Sequence, residues 1–434
     1  MLKFKNTKKT INVNIKRETG RKKTHRANKY KLLHNGGRYL GKGSYGCIVT
    51  PAISCSNKNI NIKNTNLKSK LNSKLNSNKT VSKIIIKPDD FIKEEIKISK
   101  KINNLDPKQK YFISFTNYCI LKKIPNNRTN TVSVKYNNTN DNSNIDSNSS
   151  NSNGDSHNKY KILDKSKKKD KRFCPIDLKL KPYNLIMPYA GFTLFDLLNK
   201  TSNPNILLIK QILPNNFKEC FKNLLIGLYK LHLSRIINRD IKTENITVKY
   251  NNNTKKLEMR YIDFGLSEYL NSEITSSYDN IYYSGTVDYI SIDIIITYYI
   301  YKYYGKHNDY IFQKIKKFIK INDIKNVFIS IKENNLLNKL DKTIYKLIEQ
   351  IYSQFENHTL LENYYGTNNI FNGYLQKSDV YALGLTMYEL LTLITKFINV
   401  KKDLKLHNLL LNMINFNPNE RYNVLDCLKH PYFT

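Results

Sequence analysis

The chain has 434 residues, of which 40% are hydrophobic and 12% aromatic. This content can bury a sizeable core and excludes a chain that is disordered throughout. The six cysteines are scattered and include no C-x-x-C pair, so we expect neither a disulfide framework nor a zinc site, and a reducing compartment fits best.

The formal net charge of +37 has two interpretations. Lysine and arginine neutralise phosphates, so the basic segment 3–31 is a candidate nucleic-acid-binding arm. Lysines also alternate with Asn, Ile and Tyr along the whole chain, which favours a compositional bias over a binding surface. Neither an apolar leader nor a run of ~20 apolar residues is apparent, so we expect a soluble intracellular protein that does not bind membranes.

Polar segments interrupt the chain and bury too little apolar surface to offset their ordering entropy. They are the tail 1–33 and two low-complexity insertions, 54–79 and 125–172. A fourth segment, 294–375, contains helical patterns such as Ile344–Tyr352 and is predicted to be structured but atypical.

The remaining blocks are predicted strands at first and mostly helices later. Strands are predicted within Leu40–Val49, where a glycine turn separates two of them, and over Val81–Ile86 and Leu185–Met187. Helical spacing of apolar residues predicts helices over Phe91–Ile102, Phe217–Leu231 and Tyr381–Ile394. This order predicts a small α+β lobe followed by a larger helical lobe.

The first block has the glycine spacing G-x-G-x-x-G, which lets backbone N–H groups approach phosphate oxygens. The same spacing occurs in dinucleotide-binding turns and in tight hairpins, so it is weak evidence alone. The apolar continuation after the third glycine favours a returning strand, whereas a dinucleotide fold would place a helix there. The candidate nucleotide-binding residues are Leu40, Gly41, Lys42, Gly43, Ser44, Tyr45, Gly46, Cys47 and Ile48.

The next candidates are a lysine on a strand and a glutamate on the following helix. Lys83 is preferred to Lys87, because Pro88 ends the strand there and leaves too little chain to reach the helix. Glu95 lies in register with the apolar face of that helix, whereas Glu94 faces away. A Lys83–Glu95 pair would hold the ammonium against the α- and β-phosphates of a nucleotide. The alternative is a solvated lysine near a solvated acid.

Two polar motifs, 237–246 and 261–265, match the needs of phosphoryl transfer. The reaction requires a carboxylate that receives the hydroxyl proton and oxygen ligands that fix Mg²⁺. Asp240 is the candidate base, and Asn245 and Asp263 are the candidate metal ligands. Lys242 can neutralise charge on the transferred γ-phosphoryl group. The sequence thus predicts ATP and Mg²⁺ as cofactors.

Arg239–Asn245 and Asp263–Gly265 resemble the catalytic loop and the metal motif of the eukaryotic-type protein kinase family. The resemblance covers residues 40–433 apart from the insertions. It implies a two-lobed α+β kinase fold, with a mainly antiparallel β N-lobe that carries one key helix and a larger, mainly helical C-lobe. The lobes would span about 34–187 and about 191–434 within a kinase domain 34–434.

The resemblance also implies protein substrates, and Lys242 and Thr286 are its marks of serine/threonine specificity. Met187 resembles the gatekeeper and Tyr189 belongs to the hinge that receives adenine. The Asn/Lys bias and the insertions further resemble the divergent kinases of giant DNA viruses of the mimivirus group.

Further matches imply structural roles in the C-terminal part of the chain. Asp379 would hold the catalytic loop, and Arg421 would pair with Asp293 in the substrate-docking loop. Arg239 beside the base implies activation by phosphorylation, because an arginine there needs an anionic partner. The candidate acceptors are Thr275, Ser276, Ser277, Tyr282 and Ser284.

Three positions depart from the family pattern. Asn238 replaces a histidine before the catalytic Arg-Asp pair, and tolerance is expected. Asp293 replaces a longer glutamate and is expected to loosen the pair with Arg421. Thr193 stands where many kinases carry an acid for the ribose, and segment 294–375 could reshape substrate access. The rival readings of the function are a pseudokinase scaffold and a kinase-like body with a nucleic-acid-binding arm.

Overall fold

The computed structural model describes residues 38–42, 46–53, 55, 80–86, 90–121, 180–200, 202–321, 334–394 and 403–434. The predicted tail 1–33 and the predicted insertion 125–172 lie outside the described residues. The predicted insertion 54–79 does so too, except at Cys55.

A five-stranded antiparallel sheet forms the first part of the fold, with strand order β1-β2-β3-β6-β5. Its strands are β1 (Arg38–Lys42), β2 (Gly46–Thr50), β3 (Thr80–Ile85), β5 (Asn117–Ile120) and β6 (Tyr183–Pro188). Gly46 permits close packing of β2 on β3, because a Cβ there would lie 1.9 Å from the carbonyl oxygen of Ile84. The two strands predicted on either side of the glycine turn are present and pair with each other.

Helix α1 (Asp90–Leu105) packs on this sheet and completes the small lobe. Its apolar face carries Ile92 and Ile96, which form a buried cluster with Ile85 of β3 and Leu185 of β6. The apolar spacing predicted from the sequence therefore orients the helix on the sheet. Glu95 is buried and Glu94 is partly exposed, so Glu95 is the acid that Lys83 of β3 can reach.

The large lobe combines helices with short strands. The four-stranded sheet has the order β4-β10-β9-β7 and the two-stranded sheet pairs β11 with β8. The strands are β4 (Phe112–Ile113), β7 (Phe192–Thr193), β8 (Ile236–Ile237), β9 (Ile246–Asn251), β10 (Lys256–Ile262) and β11 (Glu268–Tyr269). The helices are α2 (Leu194–Asn199), α3 (Pro204–Leu233), α4 (Ser272–Thr275), α5 (Ile292–Lys302), α6 (Asn308–Ile321), α7 (Asn334–Glu356), α8 (Leu360–Tyr365), α9 (Tyr374–Ile394), α10 (Leu404–Met413) and α11 (Val424–Lys429).

The core of the large lobe is centred on α3 and α9. Leu224, Leu225 and Leu228 of α3 are buried with Leu383 and Met387 of α9 in one apolar cluster. Burying apolar area is the main favourable term in folding. The chain that connects these two helices carries the polar loops, and the core therefore fixes where those loops lie.

The described part of segment 294–375 is helical and makes a second apolar cluster. Ile311 and Ile315 of α6, with Ile344 and Ile348 of α7, pack against Ile296 of α5. Tyrosines line the same cluster, including Tyr364 and Tyr365 of α8. The predicted helical pattern over Ile344–Tyr352 falls within α7, as expected.

One expectation about cysteine was wrong. Cys55 and Cys119 form a disulfide, with the two Sγ atoms 2.04 Å apart. Their separation of 64 residues carries no spacing signal, and the folding of β5 beside β6 brings the two thiols together. Cys220 and Cys427 are free and buried.

A small antiparallel sheet with one packed helix precedes a mainly helical lobe, as the order of predicted elements indicated. Within the described part of the chain, no helix combines the length and the apolar character needed to cross a membrane.

Candidate active site

Lys83 lies at the centre of the small lobe, on β3 between β2 and β6. Its ammonium Nζ is 2.8 Å from Glu95 Oε1 and 2.6 Å from Asp263 Oδ1. Burial acts to lower the pKa of Lys83, but the two carboxylates outweigh it and raise the pKa above its ordinary value. The lysine is therefore held as a cation between the lobes.

The choice between neighbouring candidates follows the geometry. Glu95 is buried, whereas Glu94 is partly exposed and pairs with Lys97 one turn along the helix. The predicted inward orientation of Glu95 is thus present. Lys87, the alternative to Lys83, lies outside the described residues.

The catalytic-loop candidates form one hydrogen-bonded group. The Thr286 hydroxyl donates to Asp240 Oδ1 at 2.7 Å, and Lys242 Nζ donates to Thr286 Oγ1 at 2.6 Å. Lys242 Nζ also lies 2.9 Å from Asp240 Oδ2. Asn245 Nδ2 donates to the same Oδ2 at 2.7 Å and to the backbone oxygen of Asp240 at 2.9 Å. Asp240 is thus oriented by three side chains.

Asp263 follows β10 and has a positive φ of 59°, which turns its carboxylate back toward Lys83. Burial acts to raise the pKa of Asp263, but Lys83, the Gly265 N–H and Lys242 together lower it. The Gly265 N–H donates to Asp263 Oδ1 at 3.2 Å. An ionised carboxylate at this position can bind a cation, such as the metal ion that accompanies a nucleotide.

Asn245 and Asp263 fit the donor set that magnesium prefers in nucleotide sites, which is one or two protein oxygens plus substrate phosphates. Asn245 Nδ2 donates one hydrogen bond to Asp240 Oδ2 and one to the Asp240 backbone oxygen. Because the amide nitrogen faces Asp240, the amide oxygen is the atom of Asn245 that can serve as a metal ligand. No cluster of three or more His, Cys, Asp or Glu side chains suited to a metal occurs among the described residues.

The structure describes the predicted glycine loop only in part, since Gly43, Ser44 and Tyr45 lie outside the described residues. On either side of this gap, Gly41 pairs with Ile48 and Lys42 pairs with Cys47 across β1 and β2. Leu40 is exposed, Cys47 is buried and Ile48 is partly buried. The flanks of the loop therefore lie on the sheet that also carries Lys83.

The hinge candidates lie at the end of β6 and just beyond it. Met187 is partly buried and packs against the small-lobe cluster, and Tyr189 is partly buried in the connection to the large lobe. Thr193 caps α2, where its hydroxyl accepts the Asp196 N–H at 3.0 Å. Thr193, which stands where many kinases carry an acid for the ribose, thus has a structural role as a helix cap.

Comparison with known proteins decides the family. Residues 178–433 match the family model of the protein kinase domain. The chain belongs to the protein kinase family. Its two-lobed α+β architecture is the protein kinase fold, and the family supports phosphotransferase activity in general. A search of curated proteins found no significant match, and the resemblance to giant-virus kinases stays a prediction.

The loop that carries Asp240 is held by a side chain of α9. Asp379, buried at 2% exposure, accepts the N–H of Asn238 at Oδ2 (2.8 Å) and that of Arg239 at Oδ1 (2.9 Å). His232 Nε2 lies 3.1 Å from Asp379 Oδ2. Asn238 Oδ1 accepts the N–H of Asp240 at 3.1 Å, so the asparagine in place of histidine has a structural role next to the candidate base.

The expectation that the shorter Asp293 would loosen the ion pair with Arg421 was wrong. Arg421 Nη2 lies 2.6 Å from Asp293 Oδ1, and both side chains are fully buried. The shorter aspartate is reached because Asp293 lies in the first turn of α5, directly against the arginine. Arg421 Nε and Nη2 also donate to the carbonyl oxygens of Asn415 and Phe416.

Arg239 has an anionic partner within the unmodified chain. Its Nη1 lies 2.6 Å from Glu268 Oε2, and the expected activation by phosphorylation stays a prediction. Sequence reasoning missed Glu268, which carries no motif of its own. Its position five residues after Asp263, on a strand that returns beside the catalytic loop, is the signal that could have found it.

Proposed function

We propose that this kinase is a serine/threonine protein kinase that transfers the γ-phosphoryl group of MgATP to hydroxyl groups of protein substrates. The observation that carries the proposal is the contact of Thr286 and Lys242 with Asp240. A carboxylate held in this way can orient a serine or threonine hydroxyl and receive its proton.

The bonds and charges of the reaction match the residues at the site. The acceptor oxygen forms a bond to the γ-phosphorus as the bond to the β-γ bridging oxygen breaks, and the acceptor proton passes to Asp240. Lys242 would stabilise the negative charge on the transferred group. Lys83, fixed by Glu95, would contact the α- and β-phosphates.

Magnesium would be held by Asn245 and Asp263, together with phosphate oxygens of the nucleotide. The bound ion would neutralise charge on the phosphates during transfer. Leu40–Ile48, Met187 and Tyr189 are the proposed residues that surround the nucleotide, with the glycine loop over the phosphates and the hinge against adenine. Lys83 and Asp263, which contact each other directly in this structure, would then take the phosphates and Mg²⁺ as their respective partners.

The test uses the full chain with radiolabelled ATP, Mg²⁺ and a generic basic protein. Wild type should incorporate phosphate, and Asp240→Asn should lower kcat by about 10²–10⁴-fold, the range for losing an acid–base group. Asp309→Asn is the matched control, because Asp309 is an exposed aspartate on α6, with 69% of its side chain accessible. Equal rates for Asp240→Asn and wild type would refute the assignment of the base.

Two further measurements address the finer parts of the proposal. Phosphoamino-acid analysis should recover phosphoserine and phosphothreonine, and recovery of phosphotyrosine alone would refute the specificity. Isothermal titration should show ATP binding that requires Mg²⁺. Nucleotide binding without any phosphate incorporation would instead favour a pseudokinase scaffold.

A further inference from the structure

Arg239 is the residue next to the proposed base, so its backbone conformation affects the position of that base. It precedes Asp240, has a positive φ of 66°, and its N–H is bound by Asp379. Its side chain is only 4% exposed. A buried guanidinium without an anionic partner would destabilise the fold. The anion that pairs with Arg239 therefore helps to fix the conformation of the loop that carries Asp240.

Glu268 meets that need through the fold of the backbone. β11 pairs with β8 in the register Glu268 to Ile237, and Ile237 is two residues before Arg239. The strand pair therefore places a carboxylate beside the arginine, where Arg239 Nη1 and Glu268 Oε2 are 2.6 Å apart. Burial acts to lower the pKa of Arg239, and the Glu268 carboxylate outweighs this and raises it.

Tyr282 closes the other side of the pair. Its ring lies over the guanidinium, with 4.4 Å from Arg239 Cζ to the ring centroid, and its hydroxyl donates to Glu268 Oε2 at 3.2 Å. A phosphate on Tyr282 would therefore stand beside the Glu268 carboxylate and repel it. Tyr282, one of the predicted acceptors, is engaged in holding the pair.

Helices of segment 294–375 hold residues 278–282, which lie in the predicted activation segment between Asp263 and Asp293. Tyr364 of α8 donates its hydroxyl to the carbonyl oxygen of Tyr282 at 3.0 Å. Tyr301 of α5 donates to Asp279 Oδ1 at 2.6 Å, and Tyr278 packs on Phe355 of α7 with ring centroids 4.9 Å apart. The segment is thus anchored at several points by protein groups that require no modification.

Three of the other candidate acceptors, Thr275, Ser276 and Ser277, have local partners. The hydroxyls of Thr275 and Ser276 donate to nearby backbone carbonyls at 2.9 Å, and that of Ser277 accepts the Asp279 N–H at 3.1 Å. These three hydroxyl groups thus form hydrogen bonds with neighbouring residues. Arg239 is paired with Glu268.

We propose that Glu268 is a positioning residue that takes the place of an activating phosphate, so that this kinase holds its catalytic loop in the working conformation without phosphorylation of the activation segment. Glu268 acts on the reaction through Arg239, which adjoins the base, and does not itself touch the substrate. The proposal rests on the proposed kinase function, and the experiment separates the two.

The test compares the full chain before and after treatment with a broad-specificity phosphatase, with mass spectrometry to verify that residues 264–290 carry no phosphate. Phosphatase-treated wild type should keep its kcat within about twofold, whereas Glu268→Gln should lose at least about tenfold in kcat, equivalent to about 1.4 kcal/mol. The KM for ATP should change little. Glu273→Gln is the matched control, since Glu273 is an exposed glutamate in the same segment, and Glu268→Asp should recover part of the rate.

The outcomes are distinct. Loss of about tenfold or more in wild-type kcat on dephosphorylation, or equal rates for Glu268→Gln and Glu273→Gln, would overturn the role of Glu268. If untreated wild type transfers no phosphate, the proposed function fails, and amide hydrogen exchange then tests Glu268 alone. Faster exchange over residues 266–283 in Glu268→Gln than in Glu273→Gln would support the positioning role, and equal exchange would overturn it. The wild-type phosphatase measurement also decides the matter if Glu268→Gln does not fold.

Discussion

The buried pair of Arg421 and Asp293 offers a sharp test of how the large lobe is held together. Both side chains have no solvent exposure, and Nη2 and Oδ1 are 2.6 Å apart. Asp293→Leu leaves a buried guanidinium without its carboxylate, which costs about 3–5 kcal/mol of the free energy of unfolding. That is a large share of the ~5–15 kcal/mol by which domains are stable.

The double variant Arg421→Met/Asp293→Leu separates pairing from packing. Both charges are then gone, and the remaining loss comes mainly from the carbonyl oxygens of Asn415 and Phe416, which the arginine satisfies. One or two unsatisfied buried groups cost about 1–3 kcal/mol each. The double variant should therefore be much more stable than the sum of the single variants predicts.

Urea unfolding followed by far-UV circular dichroism is the appropriate assay, because the chain has no tryptophan for fluorescence. Asp309→Asn serves as the exposed control and should change the free energy of unfolding by no more than ~0.5 kcal/mol. Strict additivity of the two single variants, or a cost below about 1 kcal/mol for Asp293→Leu, would refute this account of the pair.

Three further predictions concern the active site and the C-terminus. Gly285→Ala should lower both stability and kcat, because Gly285 has φ +126° and a Cβ would lie 2.3 Å from the Arg239 carbonyl oxygen; a strain of about 1–3 kcal/mol should appear in thermal melts, and an unchanged melt would contradict it. Lys83→Met should reduce kcat/KM for ATP by about 10²–10³-fold while keeping the fold, and steady-state rates at wild-type level would exclude the phosphate-contact role. The pKa of His430 is lowered from 6.5 by burial and by Lys405, so the folded state disfavours its protonated form, and the free energy of unfolding should be highest above pH 6.5 and fall as the pH drops below it. His430→Gln should make the free energy of unfolding less dependent on pH between about pH 7 and pH 5, and an equally steep dependence would contradict this.

The catalytic candidates could be predicted because their spacing is a local property. Asp240 and Asn245 lie on one short loop, and the glycines, Lys83 and Asp263 each accompany a strand that the apolar pattern predicts. The inward choice of Glu95 over Glu94 followed from one helical register. The structure brings Lys83, Glu95 and Asp263 together, although their roles in catalysis stay proposals.

The sequence by itself determined the two-lobed architecture and the identity of the polar motifs, because periodicity and short spacing act within single elements. Only the tertiary structure decided which distant groups meet. Glu268 reaches Arg239 through the register of β11 on β8, Cys55 meets Cys119 across the small lobe, and Asp293 reaches Arg421 despite its short side chain. Such pairs depend on packing and strand register, which bring together residues that are far apart in sequence.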